Sequence, residues 1–145
     1  MEAGRIPFSY TSQEIFIVLM ANSFTYHPGV CNIDQRGVVI RRRLAYATII
    51  GGVVAYIVFY LLGVAPIFRA IAEAGFGFGV ALNLYQAKEQ FCVINASMRT
   101  TEADLVKTKI VDDLYKKLDL KKRNAMLLKA MAFAIMIGAV AYLLP

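Results

Sequence analysis

Residues 44–65 read LAYATIIGGVVAYIVFYLLGVA, an uncharged run preceded by Arg41, Arg42 and Arg43 and followed by Pro66. At about 1.5 Å of rise per residue the run makes roughly 33 Å of helix, which matches a bilayer hydrocarbon core of about 30 Å. The arginines anchor one end at the headgroups and the proline breaks the helix at the other. A helix facing water needs a polar stripe, and none recurs through this run. The reading is therefore a membrane span, and the composition agrees with it. Of the 145 residues 59% are hydrophobic and 18% charged, with mean hydropathy +0.56. A soluble domain carries about 25% charged residues.

Two further runs extend the pattern. Residues 66–90 begin with Pro66 at a position suited to a first helical turn. This run returns from a span that has just crossed, and a lipid-facing loop or open strand would leave backbone groups unsatisfied. Residues 125–144, AMLLKAMAFAIMIGAVAYLL, form a third run, with Lys129 able to snorkel to the nearby surface. Charge placement tests this topology independently of hydropathy. With three spans the N-terminal segment and the 88–123 connection share one side, and together they hold 14 of the 16 basic residues. The positive-inside rule puts that side in the cytoplasm or, for the mitochondrial inner membrane, the matrix.

The expected fold is an all-α membrane protein. It comprises an N-terminal interfacial helix and basic turn segment (residues 1–43), a close-packed transmembrane hairpin (44–90), an amphipathic surface helix (91–124) and a C-terminal transmembrane helix (125–145). Residues 11–24 open with Thr11 and Glu14 in capping-box spacing, but the apolar stretch behind them is too short to span. Pro28 and Gly29 then read as turn. In residues 101–122, Ala103, Val106, Ile110, Leu114 and Leu118 share one helical face, and Asp112 with Lys116 and Asp113 with Lys117 have i,i+4 spacing. MEAGRIPFSY has neither an h-region nor an Arg-rich presequence pattern, so any organelle address is expected to be internal.

The motif GFGFG, residues 75–79, lacks the G-x-G-x-x-G spacing of a dinucleotide loop and lies within the second helical run. It also lacks the flanking pore helices of a carbonyl filter. Its reading is a helix-packing surface. Gly75 with Gly79 makes a small-xxx-small pair, with Glu73, Gly77 and Ala81 on a neighbouring strip. Matching strips are Ala47, Gly51 and Ala55 in the first span and Ala130, Ala134 and Gly138 in the third. The expected geometry sets Gly75 and Gly79 against the first strip or against another subunit, with Phe76 and Phe78 pointing away.

Three intramembrane polar residues stand out. Arg69 and Glu73 are expected to pair across one helical turn and with headgroups, and Asn83 to bond a neighbouring helix. Arg41, Arg42, Arg43, Lys121, Lys122 and Arg123 lie on the positive side near the headgroups, where anionic lipid, including a phospholipid such as cardiolipin, is the natural counter-charge. The basic tract lacks interleaved aromatics, which argues against nucleic acid. His27, Cys31 and Cys92 do not have metal-ligand spacing, no Ser-His-Asp set can be assembled, and no cofactor or small-molecule substrate is evident. No motif specifies a reaction. The expected role is a non-catalytic accessory subunit of a larger membrane complex, with a mitochondrial inner-membrane respiratory-chain or ATP-synthase assembly favoured. The alternative is a small homo-oligomeric transporter or channel.

Overall fold

The computed structural model describes residues 25–103 and 106–144. In order they form helices α1 (Gln35–Leu61), α2 (Pro66–Lys88) and α3 (Val93–Met98), strands β1 (Thr100–Ala103) and β2 (Val106–Lys109), and helix α4 (Asp113–Leu143). The helix expected at 11–24 lies outside the described residues. α1, α2 and α4 are each long and apolar enough to cross a membrane.

Local chemistry sets the ends of these helices. Asp34 caps α1 by accepting a hydrogen bond from the Gly37 N–H at 2.8 Å, so the helix starts well before the apolar run and carries Arg41 to Arg43 within it. The expected boundary at residue 43 is therefore not a structural break. α1 stops where Gly63 turns at φ +66°, a conformation that costs glycine little, and Pro66 opens α2 five positions after Leu61. α2 is the middle helix, packing on α1 along one side and on α4 along another.

The amphipathic helix expected over 101–122 is not formed as such. Its first half is an antiparallel hairpin that pairs Thr101 with Thr108 and Glu102 with Lys107. Threonine and valine favour the extended chain, and the Glu–Lys pair across the strands adds to it, outweighing a helical periodicity carried by few residues. Its second half belongs to α4. Asp112 caps this helix by accepting from Leu114 N at 2.7 Å and Tyr115 N at 3.2 Å, and Asp113 pairs with Lys116 at 2.7 Å. α4 then runs unbroken for 31 residues, roughly 46 Å, so the charged first third extends beyond an apolar layer about 30 Å thick.

Candidate functional site

The chain buries six polar or charged side chains among the described residues, in two different settings. Four of them, Asn32, Gln86, Asn95 and Asp119, belong to a polar base where the 25–34 strap, the start of α4 and the α3–hairpin segment meet the end of α2. Asn32 is fully buried and clasps the Cys92 backbone, with Nδ2 donating to the Cys92 carbonyl at 3.0 Å and Oδ1 accepting from the Cys92 N–H. Its own carbonyl accepts from the Glu102 N–H at 3.0 Å and its N–H donates to the Gln90 carbonyl at 3.0 Å. Gln86 Oε1 accepts from Val93 N at 3.3 Å, and Asn95 Nδ2 donates to Glu102 Oε2 at 3.1 Å.

Asp119 ties the strap to α4. Its carboxylate accepts from the Gly29 N–H at 2.7 Å and from the Tyr26 hydroxyl at 3.0 Å, and the Tyr26 ring meets Tyr115 edge-on. Burial raises the Asp119 carboxyl above the usual carboxylate range, with the two donors and Lys122 pulling the other way. The Tyr26 phenol is raised as well, by burial first and then by the Asp119 charge.

The expected headgroup cations divide into two groups. Arg41 turns inward and donates to Cys92 Sγ at 2.9 Å. Lys122 donates to the Val30 carbonyl at 2.6 Å, pairs with Glu89 at 3.2 Å and lies 5.1 Å over the Phe91 ring. Arg123 donates to Ser97 Oγ at 3.2 Å. These three hold the base together, while Arg42, Arg43 and Lys121 stay exposed. Cys31 and Cys92 are free thiols.

The other two buried groups, Arg69 and Glu73, lie among the apolar helices. They do not close the expected pair: among the described residues Glu73 Oε1 accepts no hydrogen bond, and the Arg69 guanidinium sits 5.7 and 5.5 Å from the ring centres of Tyr56 and Tyr60. Glu73 floors an open cleft of about 230 Å³ between α1 and α4, with Val53, Tyr56 and Ile57 on one wall and Ile137 and Val140 on the other. Asn83, expected to reach another helix, donates at 2.8 Å to the Gly79 carbonyl of its own.

The small residues set the helix–helix contacts around this cleft, though not in the expected register. Gly77, between the two glycines of the expected pair, faces α4 so closely that a Cβ would lie 2.9 Å from Ile137 Cβ. Ala130, Ala134 and Gly138 are buried, and a Cβ on Gly138 would meet the Ala70 carbonyl oxygen and Ala74 Cβ at 3.0 Å. On the α1 side Phe76 packs on Gly51 and Gly52 instead of pointing away, and Gly79 rests on Thr48. Ala45 and Gly52 are the buried residues of the apolar run, whereas Ala47 is exposed, Ala55 half-buried, and none of the described residues comes within 4 Å of a Cβ on Gly75.

Comparison with protein-family models, curated proteins and solved structures returned no match. Of the residues that build the base, Asn32, Asn95, Gln86 and Asp119 carry no motif in the sequence. The one available signal was Asp112 and Asp113 ahead of LYKK, which marks a helix start.

Proposed function

We propose that the chain is a non-catalytic accessory subunit of a larger membrane assembly, with an energy-transducing complex of the mitochondrial inner membrane, of the respiratory-chain or ATP-synthase kind, as the favoured setting. The observation that carries this reading is the sparse packing of α1. Only 11% of its apolar window is buried, and its small residue Ala47 faces outward, as Gly75 does on α2. Lipid provides no hydrophobic drive for helix association, so helices are held together by close packing at small residues. A span with little packing of its own and small residues turned outward suits a partner helix.

The polar base sits on the matrix or cytoplasmic side in this reading, and the exposed Arg42, Arg43 and Lys121 face anionic headgroups, cardiolipin among them. Mild detergent extraction followed by native electrophoresis and identification of the co-migrating chains tests the proposal. Migration within a larger complex is expected, with Gly75→Leu lowering incorporation while the isolated chain stays folded. A folded 16.1 kDa monomer with no companions overturns it.

Glu73 favours the second reading, a homo-oligomeric transporter or channel, since an ionisable group at membrane depth marks a pathway by default. Against a continuous wet path, two aromatic rings cover Arg69, and Asn83 bonds its own helix. Reconstituted flux that Glu73→Gln leaves unchanged removes this alternative.

A further inference from the structure

The cleft over Glu73 is incomplete in one specific way. Glu73 is 8% exposed, so its carboxylate is withdrawn from solvent, yet among the described residues Oε1 has no donor. Orphaned buried acceptors cost free energy and are rare in folded proteins. Glu73 lies seven positions after Pro66 at the start of α2, which puts it roughly 10 Å along the helix and below the headgroups. The cleft is open at that depth, so a donor dissolved in the lipid phase can reach it. A water held here would need roughly two to four polar partners, and the walls are aliphatic apart from Tyr56.

Size and charge narrow the occupant. A helix of about 10–12 Å diameter does not enter a recess of 230 Å³, whereas an apolar cavity of about 150 Å³ already admits a benzene-sized ligand. An ammonium would bring a second desolvation cost, which a hydroxyl avoids. We propose that the cleft binds a lipid-dissolved amphiphile, with a ring or short hydrocarbon segment between α1 and α4 and a hydroxyl donating to Glu73 Oε1. The sequence alone points to no small-molecule ligand, because the i,i+4 spacing of Arg69 and Glu73 reads as an ion pair. The site stands apart from the subunit reading, since it uses the cleft and not the outward-facing Ala47 and Gly75.

The test uses the full chain in phosphatidylcholine nanodiscs. The probe is a 4-alkylphenol with a diazirine in its tail, and its methyl ether, which cannot donate, is the control. After irradiation the labelled residues are mapped by mass spectrometry. The phenol is expected to label residues 53–57 and 137–144 in preference to outward-facing Ile71 and Leu128, which are 63% and 73% exposed. The ether and Glu73→Leu should each lower cleft labelling about tenfold, the factor carried by one buried hydrogen bond of roughly 1.4 kcal/mol. Glu73→Gln keeps an acceptor and should retain labelling within about twofold. Val140→Trp fills the cleft from its half-exposed wall and should abolish labelling with Glu73 intact, which covers the case that Glu73→Leu misfolds. Equal labelling by phenol and ether, labelling that follows lipid exposure alone, or labelling indifferent to Glu73→Leu and Val140→Trp overturns the proposal. So does a cleft shielded in the native assembly by a partner's side chain.

Discussion

The polar base and the helical layer bury side chains by opposite rules. In the base Asn32, Gln86, Asn95 and Asp119 are buried and each is hydrogen-bonded, so polarity itself holds the strap, the hairpin and α4 in place. In the helical layer the buried residues are mostly alanine and glycine, and the contacts are between backbones and small side chains. Glu73 breaks the second rule by bringing the base's kind of group, without its partner, into the layer. The contrast shows where each region is vulnerable. The base fails when a hydrogen-bonding group is lost, and the layer fails when volume is added.

The largest expected effect comes from breaking the base. Asn32→Leu leaves the buried N–H and C=O of Cys92 without partners and should cost about 3–5 kcal/mol. Hydrogen exchange is the measurement, with protection lost over residues 90–103 and kept along α2. Next is added volume: Gly77→Leu drives a side chain into Ile137 and should destabilise by about 1–3 kcal/mol or part α4 from α2, read as a lower thermal midpoint in detergent. Glu73→Leu should have the opposite sign, raising stability by about 1–3 kcal/mol because an unsatisfied buried acceptor disappears. A fall in the unfolding midpoint would contradict the account of Glu73 as an orphan.

A smaller effect concerns pH. Burial raises the folded-state carboxyl of Asp119 above its ordinary 3.8, so the folded chain binds that proton more readily than the unfolded one. Its contribution to stability therefore grows as pH falls through the raised value and levels off below the unfolded one. Thermal midpoints from pH 7 to pH 4 should show this rise in wild type relative to Asp119→Asn. The least effect is expected of Gly75→Leu, under about 0.5 kcal/mol on the isolated chain, since none of the described residues lies within 4 Å of the added atom. Two glycines two positions apart in GFGFG then separate inner packing from outer packing.

Much of this was legible in the sequence, for reasons that can be traced to particular residues. The three apolar helices follow from run length, and the ends of α2 from Pro66 and the charged stretch after it, because hydropathy and proline act locally. Gly138 and Ala130 were recognisable as packing residues because small residues at four-residue spacing have few other uses in lipid. Which glycine meets which helix was not legible. Rotation about the helix axis is fixed by the fit of neighbours, so Gly77 faces Ile137 and Gly75 faces outward, although both lie in one symmetric motif.

The sequence by itself determined that three helices are apolar enough to cross a membrane and that basic residues gather at one end of them, since each property sums over local residues. Only the tertiary structure decided that residues 100–103 pair with 106–109 as antiparallel strands, that Arg41, Lys122 and Arg123 turn inward, and that Glu73 stands apart from Arg69 over an open cleft. These depend on contacts between residues as far as 93 positions apart, as between Tyr26 and Asp119, and no local pattern records such contacts.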